Sequence, residues 1–573
     1  MVVSVSLVKK LMASVSVAVL VSACALTPDP FTAEELNTQA AKDRAEMFKG
    51  GEPLTGPLTV SDAIARALKY NLDKRSKMME EALALGQTEI DSFDLLPKLM
   101  ANAGYTERSE PNATRSRDLY TQSTSADVNP TYSSDRFLKT ADLTMSWNIL
   151  DFGVTYFTAK SNADRALIAT ERRRKTVHIL VSEVRFAFWR AAAYQELKGD
   201  VDRAVAEARQ ALARAKTVER ENLRAPVESL RYQKSMLETL RQLTAIQQEL
   251  STAKVELAAL INLPPGTELT LAVPETLEVP NWTTSLERME ELAFVQNPDL
   301  REQGYLTRIS VDDTRKAILK LLPGITFSAG TNYDSNSFAA YNQWNEAGAK
   351  LSWNLMNLAS GKSQIDYAET NEEVVKAKRL ALRMAVLAQV HVGQLHFQNA
   401  VSQYQQSDEL WQVDRRLFQL SEARTANDAQ GVLERVAGRA SAIASQLRRF
   451  QSYAQVEQAY AKMQATLGQD LIPDTVAATD LNGLSTTIAA RLERWNKGED
   501  LESPAPAPVV ASAAPVSPPP VAPEPVRVAT TTAPLAASST EAQSSAPALP
   551  ADQPDLLKRA IANVQEMFES PRR

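Results

Sequence analysis

The chain contains three histidines, and their spacing does not suit a metal site. They are His178, His391 and His396. Residues five apart lie on different sides of a helix, so His391 and His396 would not share one ion, and no cysteine or acidic cluster joins them. The sequence shows no phosphate-binding glycine loop, nucleophile elbow or Cys–His pairing. We therefore expect no metal, no cofactor and no enzymatic activity.

Charged residues are numerous, and their spacing is typical of solvated faces of long helices. Glu171–Lys175 and Glu372–Lys376 are examples in which a glutamate precedes a lysine by one helical turn. We expect such pairs to lie on helix surfaces rather than to act as acids and bases. The net charge of −6 over 573 residues is mild and does not indicate a nucleic-acid partner.

The single cysteine, Cys24, follows a segment typical of secretory signals. Lys9 and Lys10 precede an apolar run at 11–23 that is too short to span a bilayer. Residues 21–24, Val-Ser-Ala-Cys, resemble the lipobox of bacterial lipoproteins, in which the cysteine becomes the acylated N-terminus. The alternative is an ordinary signal peptide with an incidental cysteine. The resemblance implies a signal peptide at 1–23, lipidation with palmitate at Cys24 and, because residue 25 is not Asp, sorting to the outer membrane.

Two stretches alternate apolar and polar residues, as strands with two unlike faces do. The apolar positions of the first stretch are Ala141, Leu143, Met145, Trp147 and Ile149, and the second runs in the same way from 347 to 355. Two further strands are predicted at 100–106 and 325–333. A polar loop at 107–138 separates the first pair of strands, and a shorter one at 334–345 separates the second.

The order of these features repeats within the chain. Leu96-Pro97 and Leu322-Pro323 lie 226 residues apart, as do Asn71 and Asn297. Trp147 and Trp353 lie 206 residues apart, and the longer first loop accounts for the difference. The sequence therefore predicts a duplicated unit of helix, strand pair and helical hairpin.

Each predicted strand pair is followed by a long run without proline. The first hairpin is predicted to rise from 154 to 224, to turn at Ala225-Pro226 and to return to 263. The second is predicted to rise from about Lys362, to turn within 424–431 and to return to 467. A helix of about 70 residues is roughly 105 Å long. Such a length suggests that spanning a distance is itself part of the function. The shorter helices before the strands are predicted at 61–96, capped by Ser61 and interrupted near Asn71, and at 285–322.

The predicted domain organisation follows from these patterns. It comprises a signal peptide at 1–23, a lead-in at 24–58, a first repeat at 59–263, a linker at 264–284, a second repeat at 285–472, a closing segment at 473–502, a Pro/Ala-rich tail at 503–554 and a short amphipathic helix at 555–573. The composition of the tail indicates an extended or disordered segment. The final helix would either dock on a partner or cap the tail.

Four features together carry a resemblance to a known family: the stretch at 147–153 (Trp-Asn-Ile-Leu-Asp-Phe-Gly), the similar stretch at 353–358, the duplicated order and the lipobox. They resemble the TolC family of outer-membrane efflux and secretion channels, in its lipid-anchored branch. The resemblance covers about 58–473. It implies a mainly α fold with a small β part, in which long hairpins form an α-barrel and four strands per chain complete a trimeric, twelve-stranded β-barrel. An open sheet edge is not tolerated in lipid, so several chains would have to close the barrel.

The resemblance also implies a function and partners. The homotrimer would be the exit duct of a tripartite efflux or type I secretion system, bound to a periplasmic adaptor and an inner-membrane pump. Trp147 and Trp353 would lie at the membrane interface, with packing beneath the barrel as the alternative. The hairpin tips would dock the partners and close the tunnel. The charged tip residues that we consider as gate candidates are Glu219, Glu221, Glu228, Arg424, Asp428, Glu434 and Arg435.

The chain departs from the family pattern at both hairpin tips, and one alternative function remains open. The first tip has Asn222 where family members often carry glycine, and the second tip fits the family pattern poorly, so the charged tips could be plain solvated loops. The alternative function is a structural coiled-coil lipoprotein that tethers the outer membrane to the cell wall, with the tail reaching peptidoglycan. The four strands discriminate between these functions, because a spacer needs none.

Overall fold

The computed structural model describes residues 30–54, 56–115, 119–120, 130–221, 225–424, 429–471 and 480–498. The predictions made for Cys24, Asp428 and the segment 503–573 concern parts of the chain outside these residues.

The first half of the chain contains five helices and four strands within the described residues. In chain order they are α1 (Ala33–Met47), α2 (Val60–Tyr70), α3 (Leu72–Asp94), β1 (Lys98–Glu107), β2 (Ala113–Thr114), β3 (Thr131–Tyr132), β4 (Phe137–Asn148), α4 (Ile149–Arg220) and α5 (Pro226–Leu260). Helix α4 has 72 residues, which corresponds to roughly 108 Å. Pro226 occupies the first turn of α5, where a missing backbone N–H costs nothing.

The second half repeats this order and adds a final helix. Its elements are α6 (Leu286–Gln296), α7 (Pro298–Leu319), β5 (Gly324–Asp334), β6 (Gln343–Ser352), α8 (Leu355–Arg424), α9 (Ala429–Leu467) and α10 (Leu481–Asn496). Helix α10 was not predicted; it lies within the predicted closing segment at 473–502.

Four strands form one antiparallel sheet in the order β1-β4-β5-β6. Trp147 pairs with Phe327 at the centre of the sheet, and Phe327 pairs in turn with Ala349. Strands β2 and β3 form a separate two-stranded ribbon within the first loop. β1 and β5 begin directly after Pro97 and Pro323, slightly before the predicted strand starts at 100 and 325, and the preceding helices end at Asp94 and Leu319.

Two asparagines that lie 226 residues apart make equivalent hydrogen bonds in the two halves of the chain. Asn71 accepts from Lys74 N and donates to Leu260 O at the end of α5 (3.3 Å). Asn297 accepts from Leu300 N and donates to Thr466 O near the end of α9 (2.9 Å). Each asparagine therefore caps one helix and ties it to the end of the hairpin in its own repeat.

Three predicted helix starts were wrong. Helix α4 begins at Ile149, which was predicted as a strand position, rather than at 154, and the Asn148 side chain accepts from Leu150 N (2.9 Å). The N-cap of α2 is Thr59, not Ser61: the Thr59 hydroxyl accepts from Asp62 N, and the Asp62 carboxylate accepts from Thr59 N, which is a capping box. Helix α8 begins at Leu355 rather than near Lys362, and the Asn354 side chain accepts from Met356 N (3.1 Å). Ser360 and Gly361 are weak helix formers, but the asparagine fixes the start of the helix before them.

The predicted pair Glu171–Lys175 was also wrong. Glu171 is buried and pairs with Arg174 (2.5 Å) and with Arg301 of α7 (2.8 Å), whereas Lys175 pairs with Asp299 (2.8 Å). Arg174 on the same helix and Arg301 from another helix take the place predicted for Lys175, because a buried carboxylate needs close cations. The predicted pair Glu372–Lys376 is present at 2.8 Å.

The hydrophobic core surrounds the middle of α4. Phe188 and Leu197 are fully buried there, and the Trp189 ring packs edge-to-face on Tyr453 of α9, with 4.6 Å between ring centroids. Helix α4 packs chiefly on α5 and on α9, α9 packs chiefly on α8, and a smaller contact joins α9 to α5. The long helices therefore follow one another in the order α5-α4-α9-α8.

Candidate functional site

The sheet has one apolar and one polar face, as the alternation predicted. Directly paired residues share a face, so the register defines both. The apolar face carries large exposed side chains from all four strands, namely Leu99, Leu143, Met145, Trp147, Ile325, Phe327, Tyr333 and Leu351. Strands of 10–12 residues with an outward apolar band are typical of membrane barrels.

The polar face carries hydroxyl, amide and charged side chains. On β4 these are Thr140, Asp142, Thr144, Ser146 and Asn148, which lie between the apolar positions. Asn102 donates to Asp142 across the β1–β4 pair (2.9 Å). A face of this kind requires water, so the two faces of the sheet suit lipid on one side and an aqueous space on the other.

The two predicted interface tryptophans lie where the sheet meets the helices. Trp147 packs edge-to-face on Phe152 in the first turn of α4, with 5.6 Å between ring centroids. Trp353 follows β6 directly, and its Nε1 donates to Leu321 O (3.0 Å). Both rings are partly exposed in the single chain, which fits the predicted interface position; that position itself remains a prediction.

The sheet and the row of long helices both have open edges. In the sheet, β1 and β6 each have only one neighbouring strand among the described residues. In the row of long helices, α5 and α8 are the outer members. Each carries an apolar stripe at heptad-like spacing: Val227, Leu230 and Leu237 on α5 are 50–60% exposed, and Leu410, Val413, Leu417 and Leu420 on α8 are 44–58% exposed.

The charged residues predicted at the tips lie at the ends of the hairpins. Glu219 is half-buried and accepts from Gln233 of the same hairpin (2.5 Å), whereas Glu221 and Glu228 are exposed. Arg424 is the last residue of α8. On α9, Glu434 is exposed and Arg435 is half-buried.

Another arginine joins the two hairpins near the tips. Arg439 of α9 contacts Glu207 of α4 (2.6 Å) and Glu422 of α8 (3.2 Å). The sequence analysis missed this residue, because its partners are 232 and 17 residues away and no local spacing indicates them.

A cluster of charges ties α4 to the end of α9 beneath the hairpins. Asp470 pairs with Arg174 (2.8 Å) and with His178 (2.8 Å). Burial opposes ionisation of Asp470, but the hydrogen bond from His178 and the Arg174 charge outweigh it and hold the pKa of this carboxyl below its usual range. His178 therefore has a structural partner. His391 pairs separately with Glu290 (2.8 Å).

In the described part of the chain, no three His, Cys, Asp or Glu side chains lie together as metal ligands would. Among the same residues, no helix combines the length and hydrophobicity needed to cross a bilayer.

Solved structures of outer-membrane channels match this architecture over most of its length. The CmeC outer membrane channel of Campylobacter jejuni is 12% identical, with a TM-score of 0.56 over 77% of this chain and 90% of that chain. The MtrE outer membrane channel of Neisseria gonorrhoeae is 15% identical, with a TM-score of 0.52 over 72% and 90%. The outer membrane protein VceC of Vibrio cholerae is 13% identical, with a TM-score of 0.53 over 71% and 96%.

This chain has the TolC-type channel fold. The fold predicted from the sequence is thereby confirmed for the single chain. No family model and no curated protein matches the sequence.

Proposed function

We propose that three copies of this chain assemble into an outer-membrane channel-tunnel, which serves as the exit duct of a tripartite efflux or type I secretion system. One observation carries the proposal: the sheet and the row of long helices are both open at their edges. The exposed edge of a sheet cannot remain unpaired in lipid, because no water is present to satisfy its backbone groups. The apolar stripes on α5 and α8 are equally unsuited to water.

A neighbouring copy would pair with the open sheet edge and also cover the apolar stripe. β6 of one chain would pair with β1 of the next, and the stripe at Leu410–Leu420 on α8 would pack on the stripe of α5 in the next chain. Four strands per chain and three chains then give a closed barrel above a closed ring of helices. The sheet also distinguishes this function from that of a coiled-coil spacer, which has no use for a two-faced sheet.

The tips would close the tunnel and dock the other components. Glu221 and Glu228 on the first hairpin and Glu434 on the second are exposed and would contact an adaptor, and Arg439 joins the hairpins within one chain. Arg424 and Asp428 would contribute to the closed state. Outer-membrane anchoring through Cys24 and a peptidoglycan contact through the segment 503–573 complete the proposal on the basis of the sequence.

The experiment that tests the proposal is conductance of the purified protein in planar lipid bilayers. We expect discrete channel steps from the parent. Leu417→Asp introduces a charge into the α8 stripe, and a buried unpaired charge costs several kcal/mol, so we expect few or no assembled channels. Gln419→Asp adds the same charge to an exposed position of the same helix outside the stripe and should leave channel formation intact.

Because closed tips also prevent conduction, the channel is contradicted if the protein inserts but conducts neither as the parent nor as Arg424→Ala, in which tip closure should be weakened. Equal channel formation by both variants would show that the α8 stripe does not form the contact between copies.

A further inference from the structure

The charges on the polar face of the sheet are separated by sign. Asp334, Asp142 and Glu346 lie in the half of the sheet towards the loops, and Lys98 and Lys350 lie in the half towards the helices. These five are the charged residues of the polar face within the four strands. We name the first set the acidic band and the second set the basic band.

The register places the members of each band at successive levels. From the loops towards the helices, Asp334 pairs with Thr140, Asp142 pairs with Asn332, and Glu346 pairs with Gly330. The basic band follows below these levels, where Lys98 pairs with Ser146 and Lys350 pairs with Thr326. No level of the sheet therefore contains both signs.

The carboxylates of the acidic band accept hydrogen bonds from neutral donors. Asp142 accepts from the Asn102 amide (2.9 Å) and Asp334 accepts from the backbone N–H of Asn336 (2.9 Å). Glu346 accepts from the indole N–H of Trp344 (3.4 Å). A neutral donor stabilises a carboxylate without cancelling its field.

Distance keeps the two bands electrically distinct. Glu346 and Lys350 are four residues apart on β6, or about 13 Å at roughly 3.3 Å per residue. The Debye length is about 10 Å at 0.1 M salt, so each band is screened from the other while it still acts on ions beside it. Threefold repetition around a narrow aqueous space would reinforce each band.

We propose that the barrel is a bipolar filter, in which the acidic band concentrates cations near the outer mouth and the basic band concentrates anions near the helical tunnel. This inference rests on the proposed function, since the polar face lines a pore only if copies close the barrel. Asp142, Glu346 and Lys350 then determine which charged solutes pass. A solute with separated charges would cross the boundary with its cationic end leading outwards.

The test measures local potential through the reactivity of introduced cysteines, so it does not depend on whether the tips are open. Thr144→Cys lies on the polar face beside Asp142, and Thr326→Cys lies on the same face, where residue 326 pairs directly with Lys350. Each variant, reconstituted in lipid nanodiscs, is modified with a cationic and with an anionic methanethiosulfonate reagent of similar size. The parent, whose single cysteine is Cys24, gives the background rate of modification.

We expect Thr144→Cys to react faster with the cationic reagent and Thr326→Cys to react faster with the anionic one. The two cation-to-anion rate ratios should differ on the order of tenfold at 0.1 M salt and converge at 1 M, where screening is nearly complete. Adding Glu346→Gln should lower the ratio at Thr144→Cys, and adding Lys350→Gln should raise it at Thr326→Cys. Lys139→Gln is the matched control, because Lys139 pairs with Tyr105 on the other face.

Ala347→Cys separates failure of this inference from failure of the channel. Ala347 pairs with Ala329 on the apolar face and should be protected by lipid in a closed barrel. If Ala347→Cys is protected but the cation-to-anion rate ratios at the two polar-face cysteines are equal, the bipolar filter is refuted and the channel stands. If it reacts as fast as the polar-face cysteines, the sheet does not form a membrane barrel and both proposals are refuted.

Discussion

The buried ion pair between Arg185 of α4 and Glu457 of α9 offers a quantitative test of how the two hairpins are joined. Both side chains are almost completely buried, and two guanidinium nitrogens of Arg185 donate to one Glu457 oxygen at 2.8 and 2.5 Å. The guanidinium also lies 5.4 Å from the centre of the Tyr460 ring. Glu457→Gln would leave the Arg185 charge buried without a counter-charge.

Breaking one partner of a buried pair costs about 3–5 kcal/mol, because the remaining charge keeps its desolvation penalty. Since 1.4 kcal/mol is a factor of ten, amide hydrogen exchange in α4 and α9 around the pair should accelerate roughly a hundred- to several-thousand-fold. Hydrogen-exchange mass spectrometry of the assembled protein measures this directly. Replacing both partners by apolar residues, Arg185→Met with Glu457→Leu, should restore most of the protection.

The matched control is the pair of Arg190 with Glu256, which joins α4 to α5 near the surface. Glu256 is 44% exposed, so solvent screens the pair, and Glu256→Gln should cost about 0–1 kcal/mol. Equal loss of exchange protection in Glu457→Gln and Glu256→Gln would refute the reasoning. Burial would then have no effect on how much an ion pair stabilises this protein.

Three further predictions concern the anchor, the base of the hairpins and the tips. Cys24→Ser should abolish incorporation of labelled fatty acid while channels still assemble; continued labelling would exclude Cys24 as the acylation site. Because the folded pKa of Asp470 is lowered, its ionised form stabilises the fold above the ordinary carboxyl pKa of about 3.9, and this contribution is lost as pH falls through the lower folded value. Asp470→Asn should therefore lower the melting temperature at pH 7, with the difference from the parent disappearing in acid; a difference independent of pH would contradict this. At the tips, Arg424→Ala should raise the open fraction of single channels, and Asp428→Ala should weaken cation preference with little effect on opening. Parent-like conductance in both would exclude a charged latch and an acidic ring.

The elements with local signals could be predicted from the sequence. Alternation over 141–149 revealed a two-faced strand, and Leu96-Pro97 and Leu322-Pro323 stopped the preceding helices, because proline cannot continue a helix whatever surrounds it. The equal spacing of Asn71 and Asn297 revealed the repeat. Alternation also placed Asp142 and Lys350 on the polar face before any strand was paired.

What the sequence analysis missed depends on contacts between distant residues. Glu171 has a lysine one turn away, yet its partners include Arg301 of another helix, and Arg439 contacts Glu207 from the other repeat. The separation of charges into two bands needs the register of four strands, since Lys98 and Glu346 are far apart in the chain. The start of α8 was misplaced because a weak helix former, Gly361, lies downstream of the true cap.

The mass of the assembled protein tests the central claim most directly. If the open edges of the sheet and of the helical row are closed by other copies, native mass spectrometry of the protein released from detergent should give three times the mass of one processed chain. The Leu417→Asp variant should shift the distribution towards single chains, and Gln419→Asp should not. A stable monomer with its four strands intact, able to insert into lipid by itself, would contradict the account.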